Sequence, residues 1–110
     1  IHHNTSYRDR VFSEMGSSPS IISENNVYAY NLHVASLSAA AYGVRFIVTR
    51  GWDHAHGPVL NTKILNNTVY LTGSGSKGVV CEKCGTGILT LENNILWVNR
   101  EPFWSDGPFV

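Results

Sequence analysis

Charge is scarce in this chain. Of 110 residues only eight are Lys or Arg and eight are Asp or Glu, so the formal charge is zero. They are scattered, and without a basic stripe nucleic acid is excluded as a partner. Long hydrophobic runs are missing as well: no stretch of roughly 18 apolar residues is present, which excludes a membrane-spanning helix. Cysteine is limited to the pair Cys81-Glu-Lys-Cys84. Two ligands do not complete a four-coordinate zinc site, and a thioredoxin-like context is absent. The pair reads as small structural cysteines, reduced or locally bridged. A helical period is absent too, with Leu32–Ala41 a helical turn or a loop at most.

What is present is repetition around asparagine. The segments Ile1–Tyr7, Ser23–Tyr28, Ile64–Tyr70 and Leu91–Trp97 each run through a short β-rich stretch, an Asn, and an apolar or aromatic strand start. The Asn positions are 4, 26, 67 and 94, at spacings of 22, 41 and 27. Asn tolerates φ > 0 better than other non-glycine residues, and stacked Asn side chains bond to one another in a ladder. Asn26, Asn67 and Asn94 are therefore the expected structural ladder. Arg10–Asn26 also lies over Gly78–Asn94 without a gap, and Gly43–Asn67 repeats the unit with an eight-residue insertion. Self-similarity at this period is the mark of a solenoid.

Each unit divides into three strands rich in Val, Ile, Thr, Tyr and Phe. The first strands are Val11–Met15, Val44–Thr49 and Val79–Lys83. The second are Ser20–Glu24, Thr62–Leu65 and Ile88–Glu92, and the third Val27–Tyr30, Thr68–Leu71 and Ile95–Val98. Gly, Ser and Pro clusters separate them. The Asn phrases and the Gly-Val to Asn-Asn spacing, over residues 1 to 99, resemble the pectin-lyase-like right-handed parallel β-helix repeat proteins. The resemblance implies an all-β solenoid of about four coils, approximately 1–9, 10–42, 43–77 and 78–99, with 100–110 a C-terminal loop. Evident caps are lacking, so a segment of a longer chain, or end-to-end self-association through the open ends, is expected.

Candidate chemistry follows from which face each side chain takes. With strict alternation, Val44, Phe46 and Val48 face inward, and Arg45, Ile47 and Thr49 outward. The repeat then adds Phe12, Glu14, Val80 and Glu82 to the outer face, where the resemblance implies polysaccharide binding. Glu14 and Glu82, two rungs apart, stand roughly 9–10 Å from each other. That approaches the roughly 6.5–9.5 Å of inverting glycosidases, and Arg45 between them suits a uronate carboxylate. An ordinary solvated salt-bridge patch is the alternative.

The insertion, Arg50-Gly-Trp52-Asp53-His54-Ala-His56-Gly-Pro58, is the other candidate. Trp52 offers a stacking face for sugar, with Arg50 beside it. Asp53, His54 and His56 supply acid/base groups or metal ligands, though they name no particular metal or cofactor. Tyr28, Tyr70 and Trp97, each following an Asn phrase, are expected to stack. The functional expectation is a secreted or cell-surface protein acting on or binding an acidic polysaccharide, by lyase or hydrolase chemistry. The alternative is a non-catalytic adhesin or fibre-forming solenoid. Low charge, much Asn, Ser, Thr and Gly, and the sequons at Asn4 and Asn66 fit that location.

Overall fold

The computed structural model describes residues 1–36 and 43–108, and it is all-β. The strands, in chain order, are β1 (Thr5–Tyr7), β2 (Val11–Glu14), β3 (Ser23–Glu24), β4 (Val27–Ala29), β5 (Leu32–Ser36), β6 (Arg45–Arg50) and β7 (Val59–Leu60). They continue with β8 (Thr62–Leu65), β9 (Thr68–Thr72), β10 (Lys77–Glu82), β11 (Leu89–Glu92), β12 (Ile95–Val98) and β13 (Glu101–Ser105). No helix among the described residues is long and apolar enough to cross a membrane.

Among the described residues every strand-to-strand pairing is parallel. One sheet has the order β1-β5-β9-β12, a second β13-β10-β6-β2, and a third β11-β8-β4, beside the small pair β3-β7. Parallel neighbours need long connections. Here each connection runs through the other sheets before returning beside its partner, so β2 and β6 are separated in sequence by β3, β4 and β5.

A chain of asparagines holds adjacent passes together. Asn94 Oδ1 accepts the Asn67 N–H at 2.9 Å and the Asn67 Nδ2–H at 3.0 Å. Asn67 Oδ1 does the same for Asn31, at 2.9 and 3.0 Å, and Asn31 Oδ1 for Asn4, at 3.0 and 3.1 Å. The spacings along the chain are 27, 36 and 27 residues. Asn67 and Asn94 occupy their expected places; Asn26 does not. Its Nδ2 bonds Ser23 Oγ at 3.1 Å instead. The left-handed corner falls on the residue before each ladder member: His3, Tyr30, Asn66 and Asn93. The Asn25-Asn26 phrase belongs to another corner, where Asn25 and Asn61 also have positive φ and their amides bond at 2.6 Å.

Three segments differ from expectation, the first two because of this shift. The strand after the ladder in the first unit is β5 at Leu32–Ser36, where a helical turn or loop was expected; the remainder of that expectation, 37–41, lies outside the described residues. Val27–Ala29 pairs with β8 instead, so Tyr28 turns inward, is buried, and bonds Ser13 Oγ at 2.7 Å. The expected C-terminal loop contains β13, which pairs with β10.

Strict alternation fails in the second sheet. Phe46 and Ile47 are both fully buried in the core, Thr49 is buried, and Val48 turns to the outer face with Arg45 and Arg50. Phe12 likewise packs on the core, 5.1 Å from the Phe46 ring. The register is Val11 opposite Arg45 opposite Lys77, and Glu14 opposite Val48 opposite Val80. Cys81 stands opposite Thr49. Cys81 and Cys84 form a disulfide at the end of β10, with both residues buried.

The core also holds His33, fully buried beside Phe12 and Phe46. Burial pushes this imidazole below its ordinary 6.5, while the charge of Asp9 and hydrogen bonding to the Arg45 and Ser6 backbones act the other way. A lowered folded value means that the unfolded chain takes up the proton first. Stability is therefore intact above about pH 6.5 and falls as pH drops through the interval down to the lowered value. The urea midpoint of the native protein is expected to fall between about pH 7.5 and 5.5, and His33→Gln to flatten that slope. Equal slopes for the two proteins would show that His33 is not responsible.

The ladder makes a sharper prediction. Asn67→Ala removes the acceptor for two Asn31 donors and one donor to the Tyr28 carbonyl. Leaving buried groups unpaired is expected to cost about 2–4 kcal/mol in urea unfolding. Asn26→Ala is expected to stay within about 0.5 kcal/mol, and comparable losses at both positions would refute the assignment.

Candidate functional site

The outer face of the sheet β13-β10-β6-β2 carries a groove of about 540 Å³. The parallel register sorts its lining into transverse rows. At the strand starts stand Val11, Arg45 and Lys77, with Arg10 and Gly43 at the margin. The middle row is Glu14, Val48, Val80 and Trp104. The last row is Arg50 beside Glu82. Four cationic and two anionic side chains thus border an apolar strip of valines closed by Trp104. Lys77 Nζ lies 4.0 Å from the Trp104 ring centroid and 3.9 Å from Glu101 Oε2.

Arg50 organises the far end of the groove. Its guanidinium bonds Glu14 Oε1 and the Met15 carbonyl, and its Nε lies 3.2 Å from Glu82 Oε2 at an angle that makes an ion pair without a hydrogen bond. Glu14 and Glu82 do face the same side, as expected. Between them stands the Arg50 guanidinium rather than a gap for a sugar ring and a water, so the geometry of an inverting carboxylate pair is not reproduced.

The insertion loop is anchored to this cluster. Gly51 N–H donates to the Glu82 carbonyl at 2.7 Å, and a Cβ on Gly51 would fall 1.6 Å from the Lys83 carbonyl oxygen. Only glycine permits that approach. The His56 N–H donates to His54 Nδ1 at 3.0 Å, which leaves the ring proton on Nε2, 3.2 Å from Glu82 Oε2. Nδ1 of His54 is therefore engaged, while Nε2 lies close to Glu82 Oε2 without a hydrogen bond. The His54 and His56 rings are 5.9 Å apart. His2 and His3 sit elsewhere, on the β4 edge against Ala29 and Tyr30. Among the described residues no three His, Cys, Asp or Glu side chains gather to hold a metal.

Trp52 and Asp53 are exposed and lie outside the groove lining; the Trp52 indole N–H reaches the Thr86 carbonyl at 3.4 Å. Of the expected site residues, the fold brings together Arg45, Arg50, Glu14 and Glu82, with His54 behind Glu82, and leaves Trp52, Asp53 and His56 apart. Comparison with protein-family models, with curated proteins and with solved structures finds no match. The groove therefore has to be interpreted from its own chemistry.

Sequence reasoning missed Arg10, Lys77, Val48 and Trp104. Lys77 lies in a Gly-Ser-rich separator, and Trp104 in the segment expected to be a loop. A different trio, Asp9, Ser6 and His33, has the residue types of a hydrolase triad in the wrong order. Ser6 donates to Asp9 Oδ2 at 2.6 Å and so accepts from His33 Nδ1 at 2.9 Å. With the hydroxyl in the middle the order is not that of a triad, and Ser6 instead links the buried His33 to the exposed Asp9.

The Arg50 side chain is only 13% exposed, whereas that of Glu82 is 34% exposed. A double-mutant cycle of Arg50→Met with Glu82→Gln, read by urea unfolding, is expected to give a coupling of about 1–2 kcal/mol. Additive effects would mean that the two side chains are merely adjacent.

Proposed function

We propose that the chain winds as a right-handed parallel β-helix of the pectin-lyase-like kind and that it binds acidic polysaccharide along the groove over β2, β6, β10 and β13. The winding is supported by three parallel sheets visited in a constant order, and its hand by the strong preference of parallel crossovers for the right-handed sense. The single observation that carries the function is the row arrangement of the groove. Val48 and Val80 floor the groove, 6% and 4% exposed, and Trp104 closes it with a ring that suits the CH face of a sugar, while Arg45 and Lys77 alongside suit carboxylates or sulfates.

Binding is the better reading than bond cleavage. The two carboxylates share a guanidinium, and the imidazole nearest to them has Nδ1 occupied by the His56 N–H and Nε2 facing Glu82 rather than open space. The Cys81–Cys84 disulfide favours an oxidising compartment, in keeping with an extracellular or surface location.

The test is titration with oligogalacturonate against an uncharged cello-oligosaccharide. Oligogalacturonate is expected to bind, weakening steeply between about 0.02 and 0.5 M salt. Arg45→Gln and Lys77→Gln are each expected to weaken it by about three- to tenfold. Trp52→Ala, outside the groove, is expected to change nothing. Equal affinity for the neutral sugar, or indifference to both cation substitutions, refutes the reading.

A further inference from the structure

The outer face of the sheet β1-β5-β9-β12 carries a transverse row with one ring missing. Its members, in register, are Tyr7, Val34, Tyr70 and Trp97. The three aromatic residues are exposed. Tyr70 and Trp97, on adjacent strands, stack with centroids 4.5 Å apart and planes 18° apart. In this row one strand step therefore holds one stacked ring. Tyr7 and Tyr70 are two steps apart, about 9–10 Å at the usual strand spacing. The side chain between them is Val34, which is too short to fill the ring position. What remains is a cavity of about 370 Å³ walled by Tyr7 and Tyr70, one ring wide.

The chemistry around this slot selects an occupant. Two tyrosine rings offer apolar, electron-rich faces suited to the CH faces of a pyranose on both sides. Arg8 joins the lining, its guanidinium 5.3 Å from the Tyr7 ring centroid, and it makes no ion pair among the described residues. Ser36 adds a hydroxyl at the same cavity. A planar cation beside a ring-wide apolar slot is complementary to a sugar that carries a carboxylate or sulfate.

We infer that the slot between Tyr7 and Tyr70 over Val34 is a binding subsite for one ring of an acidic saccharide, with the ring between the tyrosines and the anionic group on Arg8. This subsite lies on a different sheet from the groove and does not depend on it.

The experiment follows the Tyr7 and Tyr70 ring resonances by NMR while trigalacturonate is added to the whole chain. It is done in the native protein and in the Arg45→Gln/Lys77→Gln background, which weakens the groove and leaves the slot untouched. Saturable shifts of both rings are expected in both proteins. Val34→Trp restores the missing ring, and it is expected to abolish those shifts while leaving the thermal midpoint unchanged or higher, because it adds a cross-strand aromatic contact. Arg8→Gln is expected to weaken the site by about tenfold, as loss of a charge-assisted bond does. Tyr7→Ala removes one wall and is expected to abolish saturation without refilling the slot. Silent tyrosines, or a Val34→Trp protein that shifts like the native one, overturn the proposal. So does benzoate acting as strongly as trigalacturonate, since a flat carboxylate would then suffice.

Discussion

Parallel register, locked by the side chains of four asparagines, is the constraint on which the rest of the structure depends. The Oδ1 atoms of Asn31, Asn67 and Asn94 each take two donors from the previous Asn, one from its backbone and one from its amide. The amide nitrogens of Asn67 and Asn94 also donate to the Tyr28 and Ile64 carbonyls. A buried corner leaves backbone groups without water, and such groups need partners. The Asn side chain supplies an acceptor and two donors at the place where the chain leaves one sheet for the next. Because it bonds both its own pass and the neighbouring one, it sets the step between passes as well as the bend. A one-residue slip would exchange the two faces of every strand, so the ladder also decides what faces the core.

This logic was largely legible in the sequence, and its misreadings have physical causes. Asn67 and Asn94 stood out because Asn66 and Asn93 precede them, the left-handed residue and the ladder residue both being Asn. In the first unit the left-handed residue is Tyr30, so Asn31 carried no Asn-Asn signature. Asn25-Asn26 carried that signature for another corner, the one shared with Asn61. Local φ preference cannot tell two kinds of corner apart, since both want a residue tolerant of positive φ. Composition sufficed for the all-β class, and apolar runs located most strands. Strand β13 escaped because Pro102 and the flanking charges read as loop. A proline is tolerated in a strand on the edge of a sheet, and β13 is such a strand.

The site was half legible for a related reason. Period-two alternation is the tool for assigning faces, and it breaks where Phe46 and Ile47 both turn inward. Beyond that break the groove-side residues are Val48 and Arg50, so Arg45, one residue before it, and Arg50, three residues after it, share one face despite unlike parity. Glu14 and Glu82 were placed on the right face, but the partner between them is Arg50. The insertion loop drew notice for its histidines and its Trp. Its structural use is plainer: His54 packs behind Glu82 and Gly51 seats the loop against the Lys83 backbone, bracing one end of the groove. A cluster of acid/base residue types marks chemistry only when their polar atoms point at a common space, and here they point at one another.

In-register stacking has one further consequence. When every pass places its side chains at the same heights, an outer row becomes a series in which neighbours differ only in side-chain size. A large residue stacks on the next one, as Tyr70 does on Trp97, and a small one leaves a gap whose width is set by the strand step. Cavities on such a surface therefore come in multiples of one stacked ring, and their walls are fixed by backbone hydrogen bonds rather than by loops. Val34 makes such a gap between Tyr7 and Tyr70, and the middle row of the groove makes its opposite, an unbroken strip through Val48 and Val80 to Trp104. The first shape is a slot between two exposed rings; the second is a continuous floor closed by an aromatic ring. One repeated backbone thus carries two surface shapes, and the size of a single side chain in a row decides which of them forms.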